Sequence, residues 1–140
     1  MLNLKLHSDG GALHVLVVED EILLNCVVCE AFREEGFVVT GVNDANEAMH
    51  FLQDHPGEVN LLVTDVRMPG EMDGLELGHF VAQWWPHIPV LTMSGYAGDR
   101  DRHPVGPFLA KPFALESLLY SATRLVAKGQ YWRAAGPTLR

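Results

Sequence analysis

The sequence predicts an α/β fold in which five parallel strands form one open sheet with helices packed on both faces. Short apolar runs alternate with amphipathic stretches along most of the 140 residues, an order typical of a parallel sheet with helical crossovers. The strand-like runs are continuously apolar, as expected of strands that are buried on both faces. Polar residues directly follow several of these runs, where a ligand site of such a sheet would lie.

The first half of the chain supplies two strands and two helices. Residues 13–18 form a continuous Val-rich run, which predicts the first strand. Residues 20–35 place apolar side chains at helical spacing, and Gly36 then occupies a position at which helices commonly end. Residues 37–42 form the second strand, and residues 44–53 place alanine, methionine and leucine side chains on one side of a second helix.

The second half supplies three strands, two helices and one irregular interval. The third strand, residues 59–64, ends at Asp65, and a helix that begins at residue 73 or 74 continues to Trp85, where Pro86 stops it. Between the fourth and fifth strands, glycines, prolines and a charged run disfavour a long helix. We therefore expect the fourth helix to be reduced to a loop or a turn or two. The remaining strands and the last helix are predicted at residues 88–93, 108–110 and 115–127.

Charge and composition narrow the classes of function. The net charge of −8 argues against direct nucleic-acid binding, because an acidic surface repels phosphates. No apolar run reaches the length of a membrane span, and the N-terminus lacks the apolar core of a signal peptide. Cys26 and Cys29 lie in a helical apolar stretch, so we interpret them as reduced helix residues of a cytoplasmic protein. We divide the chain into a leader (1–12), one domain (13–128) and a C-terminal tail (129–140).

Charged and hydroxyl residues follow the predicted strands. The acidic run 19–21 follows the first strand, Asp65 the third, Ser94 the fourth and Lys111 the fifth. Because the carboxyl ends of parallel strands meet at one edge of the sheet, we expect these side chains to converge. Converging carboxylates repel one another unless a cation neutralises them, and Mg²⁺ prefers oxygen ligands and pairs with phosphate.

This set of groups matches the needs of phosphoryl transfer to a carboxylate. Aspartates form aspartyl phosphates in known enzymes, and Lys111 and Ser94 would donate hydrogen bonds to the phosphoryl oxygens. Taken singly, each residue has a simpler explanation, because acidic residues often cap helices and strand-end aspartates often belong to turns. Their joint placement on successive strand ends favours a site.

Five ordered segments resemble the response-regulator receiver family, whose best-known stand-alone members are the chemotaxis regulators. The resemblance covers about residues 13–127 and implies a flavodoxin-like fold with strand order 2-1-3-4-5. The matching segments are VLVVEDE at 15–21, LVTDVRMP at 62–69, MDGLEL at 72–77, PVLTMSG at 89–95 and FLAKPF at 108–113.

The resemblance implies a role for each strand-end residue. Asp65 corresponds to the phosphoacceptor, and Lys111 to the lysine that pairs with the phosphoryl group. Ser94 corresponds to the hydroxyl that turns toward this group, and Phe108 to the aromatic switch residue. The Lys111–Pro112 bond is expected to be cis. The groups that would hold Mg²⁺, with Asp20 favoured as the direct ligand, are Glu19, Asp20, Asp65 and the backbone carbonyl of Arg67.

The implied function is acceptance of a phosphoryl group from a histidine kinase or phosphotransfer protein, followed by changed contacts with a downstream protein. No catalysis is expected beyond the chain's own phosphoryl uptake and autodephosphorylation. No output domain fits in the remaining residues, so we expect a stand-alone receiver or one excised from a hybrid kinase, and a weak homodimer stays open. The Ser94-Gly95-Tyr96 run resembles hybrid-kinase receivers, and the reduced fourth helix puts the usual output surface in doubt.

Three other functions compete with this interpretation. An aspartate-nucleophile phosphatase of the haloacid dehalogenase type would need a second aspartate two residues after Asp65, where Arg67 stands. A flavodoxin would need a phosphate-binding loop after the first strand, where the run 19–21 is acidic. A pseudo-receiver that binds partners without phosphorylation would not need the complete set of acids, hydroxyl and lysine.

Overall fold

The computed structural model describes residues 7–8 and 11–135, with side chains described for residues 11–128. Five parallel strands form one sheet in the order β2-β1-β3-β4-β5, which confirms the predicted fold and strand order. The strands of this sheet are β1 (His14–Val18), β2 (Val38–Val42), β3 (Leu61–Asp65), β4 (Val90–Ser94) and β5 (Phe108–Ala110), and His7–Ser8 and Gly11–Ala12 form a separate two-stranded antiparallel pair. The helices are α1 (Ile22–Glu34), α2 (Ala45–Asp54), α3 (Gly74–Trp84) and α4 (Leu115–Ala135).

Helices cover both faces of the sheet, and each face has its own apolar core. Val15 and Val17 of β1 point to one face, where they pack with residues of α1 and α4. Leu16 and Val18 point to the opposite face, where they pack with residues of α2 and α3. Successive strand residues alternate between faces, and here both faces are apolar. The continuous apolar runs of the sequence therefore reflect burial on two sides.

Local signals set where the helices begin and end. Gly36 has a φ of +96°, the left-handed conformation that glycine adopts easily after a helix. Asp44 caps α2 by accepting a hydrogen bond from the backbone N–H of Glu47 at 2.8 Å. Asp73 and Glu76 form a reciprocal capping box at the start of α3. At α1 the N-cap residue is Glu21, whose side chain makes no capping hydrogen bond.

The interval between β4 and β5 contains a six-residue 3-10 helix, Ala97–Arg102, which confirms the expected reduction of the fourth helix. Helix α4 runs to Ala135, past the predicted end at residue 127. Gly129 disfavours a helix by only about 1 kcal/mol, and good helix formers surround it. Residues 1–6 and 9–10 of the predicted leader, and 136–140 of the predicted tail, lie outside the described residues. None of the described helices combines the length and hydrophobicity that a membrane crossing requires.

Candidate functional site

The carboxyl ends of the strands bring the polar residues predicted from the sequence to one edge of the sheet. Asp65 and Ser94 are the last residues of β3 and β4, and Glu19 and Lys111 directly follow β1 and β5. Backbone hydrogen bonds to neighbouring strands continue through these positions. The Glu19 N–H donates to Val42 at 3.1 Å, and the Lys111 N–H donates to Ser94 at 2.8 Å. The site is therefore built on the rigid end of the sheet.

Three carboxylates and one ammonium group form the centre of the site. Carboxylate oxygens of Glu19, Asp20 and Asp65 all lie within 4.8 Å of one another. The ammonium group of Lys111 lies 2.8 Å from Glu19 Oε1 and 3.2 Å from Asp65 Oδ1. Glu19 and Asp65 are buried, whereas Asp20 is exposed. One face of the cluster is thus open to solvent.

The charges of this cluster are only partly balanced. Burial and the neighbouring Glu19 carboxylate raise the pKa of Asp65 to about 6, although Lys111 opposes the shift. Burial and Glu19 also raise the pKa of Asp20. Burial alone would lower the pKa of Lys111, but the carboxylates of Glu19 and Asp65 outweigh it and hold that pKa above its ordinary value. Three acids beside one cation are the setting in which a divalent cation with oxygen ligands fits.

The backbone next to Asp65 leaves no room for a side chain on Gly74, the first residue of α3. Asp65 Oδ1 accepts a hydrogen bond from the Val66 N–H at 2.9 Å, and the Gly74 N–H donates to the Val66 carbonyl at 2.8 Å. A Cβ atom on Gly74 would lie 1.7 Å from the carbonyl oxygen of Asp65. The first turn of α3 therefore packs directly on the end of β3, a contact that the sequence analysis missed. The Asp-Gly pair at the predicted helix start was the available signal.

Ser94 has a partner that the sequence analysis did not foresee. Its hydroxyl donates to Asp99 Oδ2 at 2.6 Å and accepts from the Tyr96 N–H at 3.0 Å. Asp99 is fully buried and also pairs with the guanidinium of Arg67 at 3.1 Å. The alternating charges at residues 99–102 are the sequence signal for this contact, but by themselves they indicate only that a long helix is disfavoured.

The remaining predicted positions lie around this centre. The Arg67 side chain lies over the Tyr96 ring, with 4.4 Å between its Cζ atom and the ring centroid. Phe108 is half-buried, and the Arg100 guanidinium lies 4.9 Å from its ring centroid. The Lys111–Pro112 peptide bond is cis, as expected. The proposed metal contact of the Arg67 carbonyl stays a prediction.

Known proteins resemble this chain in sequence and fold. A sequence model of the response regulator receiver domain matches residues 15–123. The response regulator receiver protein CpdR of Brucella abortus is 29% identical over 117 residues, which are 80% of this chain and 95% of CpdR. The sensor kinase CckA of the same organism is 32% identical over 124 residues, which are 85% of this chain and 13% of the kinase.

A solved structure of a related protein has a similar fold. The crystal structure of NtrX from Brucella abortus matches with a TM-score of 0.80 at 27% identity, over 92% of this chain and 30% of that chain. The chain thus spans nearly all of CpdR but a minor part of CckA and NtrX. The family match covers the sheet and the strand-end cluster, and the chain belongs to the response regulator receiver domain family.

Proposed function

We propose that the chain accepts a phosphoryl group on Asp65, with Mg²⁺, from a histidine kinase or phosphotransfer protein of a two-component phosphorelay. One observation carries the proposal: Asp65 ends β3 next to two further carboxylates and lies 3.2 Å from the ammonium group of Lys111. A buried nucleophilic carboxylate, an oxygen-rich cation site and a fixed positive charge are the three things that phosphoryl transfer to aspartate requires.

The transfer itself uses few protein groups. An oxygen of ionised Asp65 forms the bond to phosphorus while the bond from phosphorus to the donor's imidazole nitrogen breaks, and the imidazole leaves with the electron pair. With a pKa of about 6, Asp65 is mostly ionised at neutral pH. Lys111 donates to a phosphoryl oxygen where negative charge must be stabilised. Mg²⁺, when bound, supplies further positive charge at these oxygens.

The chain's own residues fit this ion. Glu19, Asp20 and Asp65 offer carboxylate oxygens, and the backbone carbonyl of Arg67 would add a fourth ligand. Because Asp20 is exposed, water can complete the octahedral coordination that Mg²⁺ prefers. Lys111 already contacts Glu19 and Asp65, which leaves Asp20 as the carboxylate most available to the ion.

Signalling would follow from new charge and acceptor oxygens on Asp65. Ser94 ends the neighbouring strand and would turn its hydroxyl toward a phosphoryl oxygen, and Phe108 on β5 would take up the space that Ser94 leaves. In the register Ala110 lies opposite Ser94. Phe108 lies two residues earlier on β5, so it is on the same face of the sheet as Ala110. The result would be a changed protein-binding surface, in keeping with a cytoplasmic module that has a downstream protein partner.

Beryllofluoride, a mimic of an aspartate-bound phosphoryl group, tests the proposal together with Mg²⁺. We expect the wild type to bind Mg²⁺ and then beryllofluoride, with chemical-shift changes in backbone amides near Asp65 and Ser94. Asp65→Asn should abolish the beryllofluoride response. Asp54→Asn, which changes an exposed aspartate at the end of α2, should respond like the wild type.

Phosphotransfer from acetyl phosphate provides the covalent test. The wild type should gain one acid-stable, base-labile phosphoryl group, and Asp65→Asn should gain none. If Asp65→Asn is phosphorylated at the wild-type rate, Asp65 is not the acceptor. If the wild type neither binds beryllofluoride nor becomes phosphorylated by acetyl phosphate, the chain is a pseudo-receiver that works without phosphorylation.

A further inference from the structure

We propose that Asp99 is a positioning residue that competes with the phosphoryl group for Ser94 and Arg67. With Asp65 unmodified, Asp99 holds the Ser94 hydroxyl and the Arg67 guanidinium. Modification of Asp65 withdraws these groups and releases the 3-10 helix Ala97–Arg102, which then forms the surface that a partner recognises. The inference rests on the proposed function of Asp65.

The contacts of Asp99 show how strongly this carboxylate is held. Its side chain has no solvent exposure, and its Oδ2 atom accepts from Ser94 at 2.6 Å. Its Oδ1 atom accepts from Arg67 at 3.1 Å and from Arg102 at 3.4 Å. Burial alone would raise the pKa of Asp99, but these hydrogen bonds outweigh it and hold the pKa below its ordinary range. We call Asp99 and these three partners the Asp99 cluster.

The Ser94 contact excludes the signalling contact. A serine hydroxyl has one hydrogen to donate. Asp99 Oδ2 at 2.6 Å is a much closer acceptor for it than the Tyr96 carbonyl at 3.3 Å. The Tyr96 N–H occupies an acceptor position of the same oxygen at 3.0 Å, which fixes the orientation of the hydroxyl. Ser94 therefore has to leave Asp99 before it can donate to a phosphoryl oxygen on Asp65.

The Arg67 guanidinium also has two alternative acceptors, Asp99 and a phosphoryl group on Asp65. Arg67 lies two residues after Asp65 on the loop that leaves β3, and its guanidinium is engaged by Asp99 and by the face of the Tyr96 ring. A phosphoryl group on Asp65 would offer this guanidinium a more highly charged set of acceptors than one carboxylate does. Arg67 follows Asp65 by two residues, and Ser94 ends the strand that pairs with β3. These are the two donors of the Asp99 cluster that a phosphoryl group would attract.

If Asp99 lost Ser94 and Arg67 as donors, the 3-10 helix would be released, because its other contacts lie at the surface. Among its six described residues, Asp99 is the buried one. Arg102 also pairs with Asp73, the N-cap residue of α3, at 2.7 Å, but this pair lies at the surface, where solvent and salt weaken ion pairs. The contact of the exposed Arg100 with the Phe108 ring, at 4.9 Å, is likewise at the surface. A buried carboxylate that loses its donors is unstable in place, so the segment would move with it.

Asp99→Asn gives the decisive variant. The amide is the same size and still accepts from Ser94, but it carries no charge to hold Arg67 and Arg102. We expect Asp99→Asn to bind Mg²⁺–beryllofluoride about tenfold more tightly, a factor that corresponds to about 1.4 kcal/mol. We also expect the amide resonances of Ala97–Arg102 in the free variant to shift toward their positions in the beryllofluoride-bound wild type.

The direction of the change separates this role from a merely structural one. If Asp99 only supported the fold, Asp99→Asn would lower both the free energy of unfolding in urea and the beryllofluoride affinity. A lower stability together with a higher affinity supports the competition. An unchanged or weaker affinity overturns it.

A milder variant and a matched control complete the design. Arg102 is partly exposed, so Arg102→Gln should fold even where Asp99→Asn does not, and it should tighten beryllofluoride binding by a smaller factor. Arg124→Gln removes the same charge from an exposed side chain that bonds Tyr120 on α4, and it should bind like the wild type. Equal affinities for Arg102→Gln and Arg124→Gln would overturn the inference. A wild type that does not respond to beryllofluoride would instead remove the proposed function of Asp65.

Discussion

Replacement of Asp65 by asparagine should stabilise the protein at neutral pH and have much less effect in acid. The pKa of Asp65 rises from 3.8 to about 6 in the folded chain, first because of burial and then because of Glu19. The folded protein therefore binds this proton more tightly than the unfolded chain does, so ionisation opposes folding. The stability that protonated Asp65 provides is complete below pH 3.8 and is lost as the pH rises through 6. The shift corresponds to about 3 kcal/mol at pH 7.5.

Urea unfolding of both proteins between pH 4 and pH 7.5, without divalent cations, measures this effect. The difference in free energy of unfolding between Asp65→Asn and the wild type should grow in favour of the variant by about 2.4 kcal/mol across this range, because a small part of the effect is already present at pH 4. Mg²⁺ at about 100 times its Kd should then stabilise the wild type by about 2.7 kcal/mol, and the variant by much less. A difference that stays constant with pH, or that favours the wild type as the pH rises, would refute the electrostatic account of this site.

Three further substitutions test the packing at the site, the apolar core and a helix cap. Gly74→Ala should destabilise the fold by at least about 1–3 kcal/mol in urea unfolding and weaken beryllofluoride binding, because its Cβ would meet the Asp65 carbonyl. Gly78→Ala in the same helix would meet only the Val90 side chain, at 3.3 Å, and should change the stability little. Leu118→Ala, in the core between α4 and the sheet, should cost about 2–5 kcal/mol. Asp44→Ala should cost about 1 kcal/mol through the lost α2 cap, and Asp44→Ser should restore most of it.

The order of elements and the strand-end residues could be predicted because their signals are local. A strand buried on both faces has to be apolar along its whole length, and the residue after such a strand lies at the ligand edge of the sheet by topology alone. Asp65, Ser94 and Lys111 were found in this way. Their chemistry indicates phosphoryl transfer, but position at the edge does not by itself distinguish a nucleophile from a turn residue, so the assignment of each role depends on the family resemblance.

The features that sequence reasoning missed depend on contacts between distant segments. The close approach of Gly74 to Asp65 requires knowing how α3 packs on the end of β3, and an isolated Asp-Gly pair also fits an ordinary turn. To predict the hydrogen bond between Ser94 and Asp99, one must know the path of the loop after β4. The last helix is predicted to end at residue 127, whereas α4 extends to Ala135, and the helix penalty of Gly129 is too small to end it.

The reduced fourth helix changes how a signal could leave the domain. An amphipathic helix is held by apolar burial, which responds little to charge at a neighbouring site. The 3-10 helix Ala97–Arg102 is held instead through Asp99, whose hydrogen bond from Ser94 is buried and charge-assisted, a class worth about 1.5–3 kcal/mol. A phosphoryl group on Asp65 would offer interactions of the same kind and size to the same donor. The 3-10 helix therefore responds directly, because Asp99, which anchors it, competes with the phosphoryl group on Asp65 for the same donor.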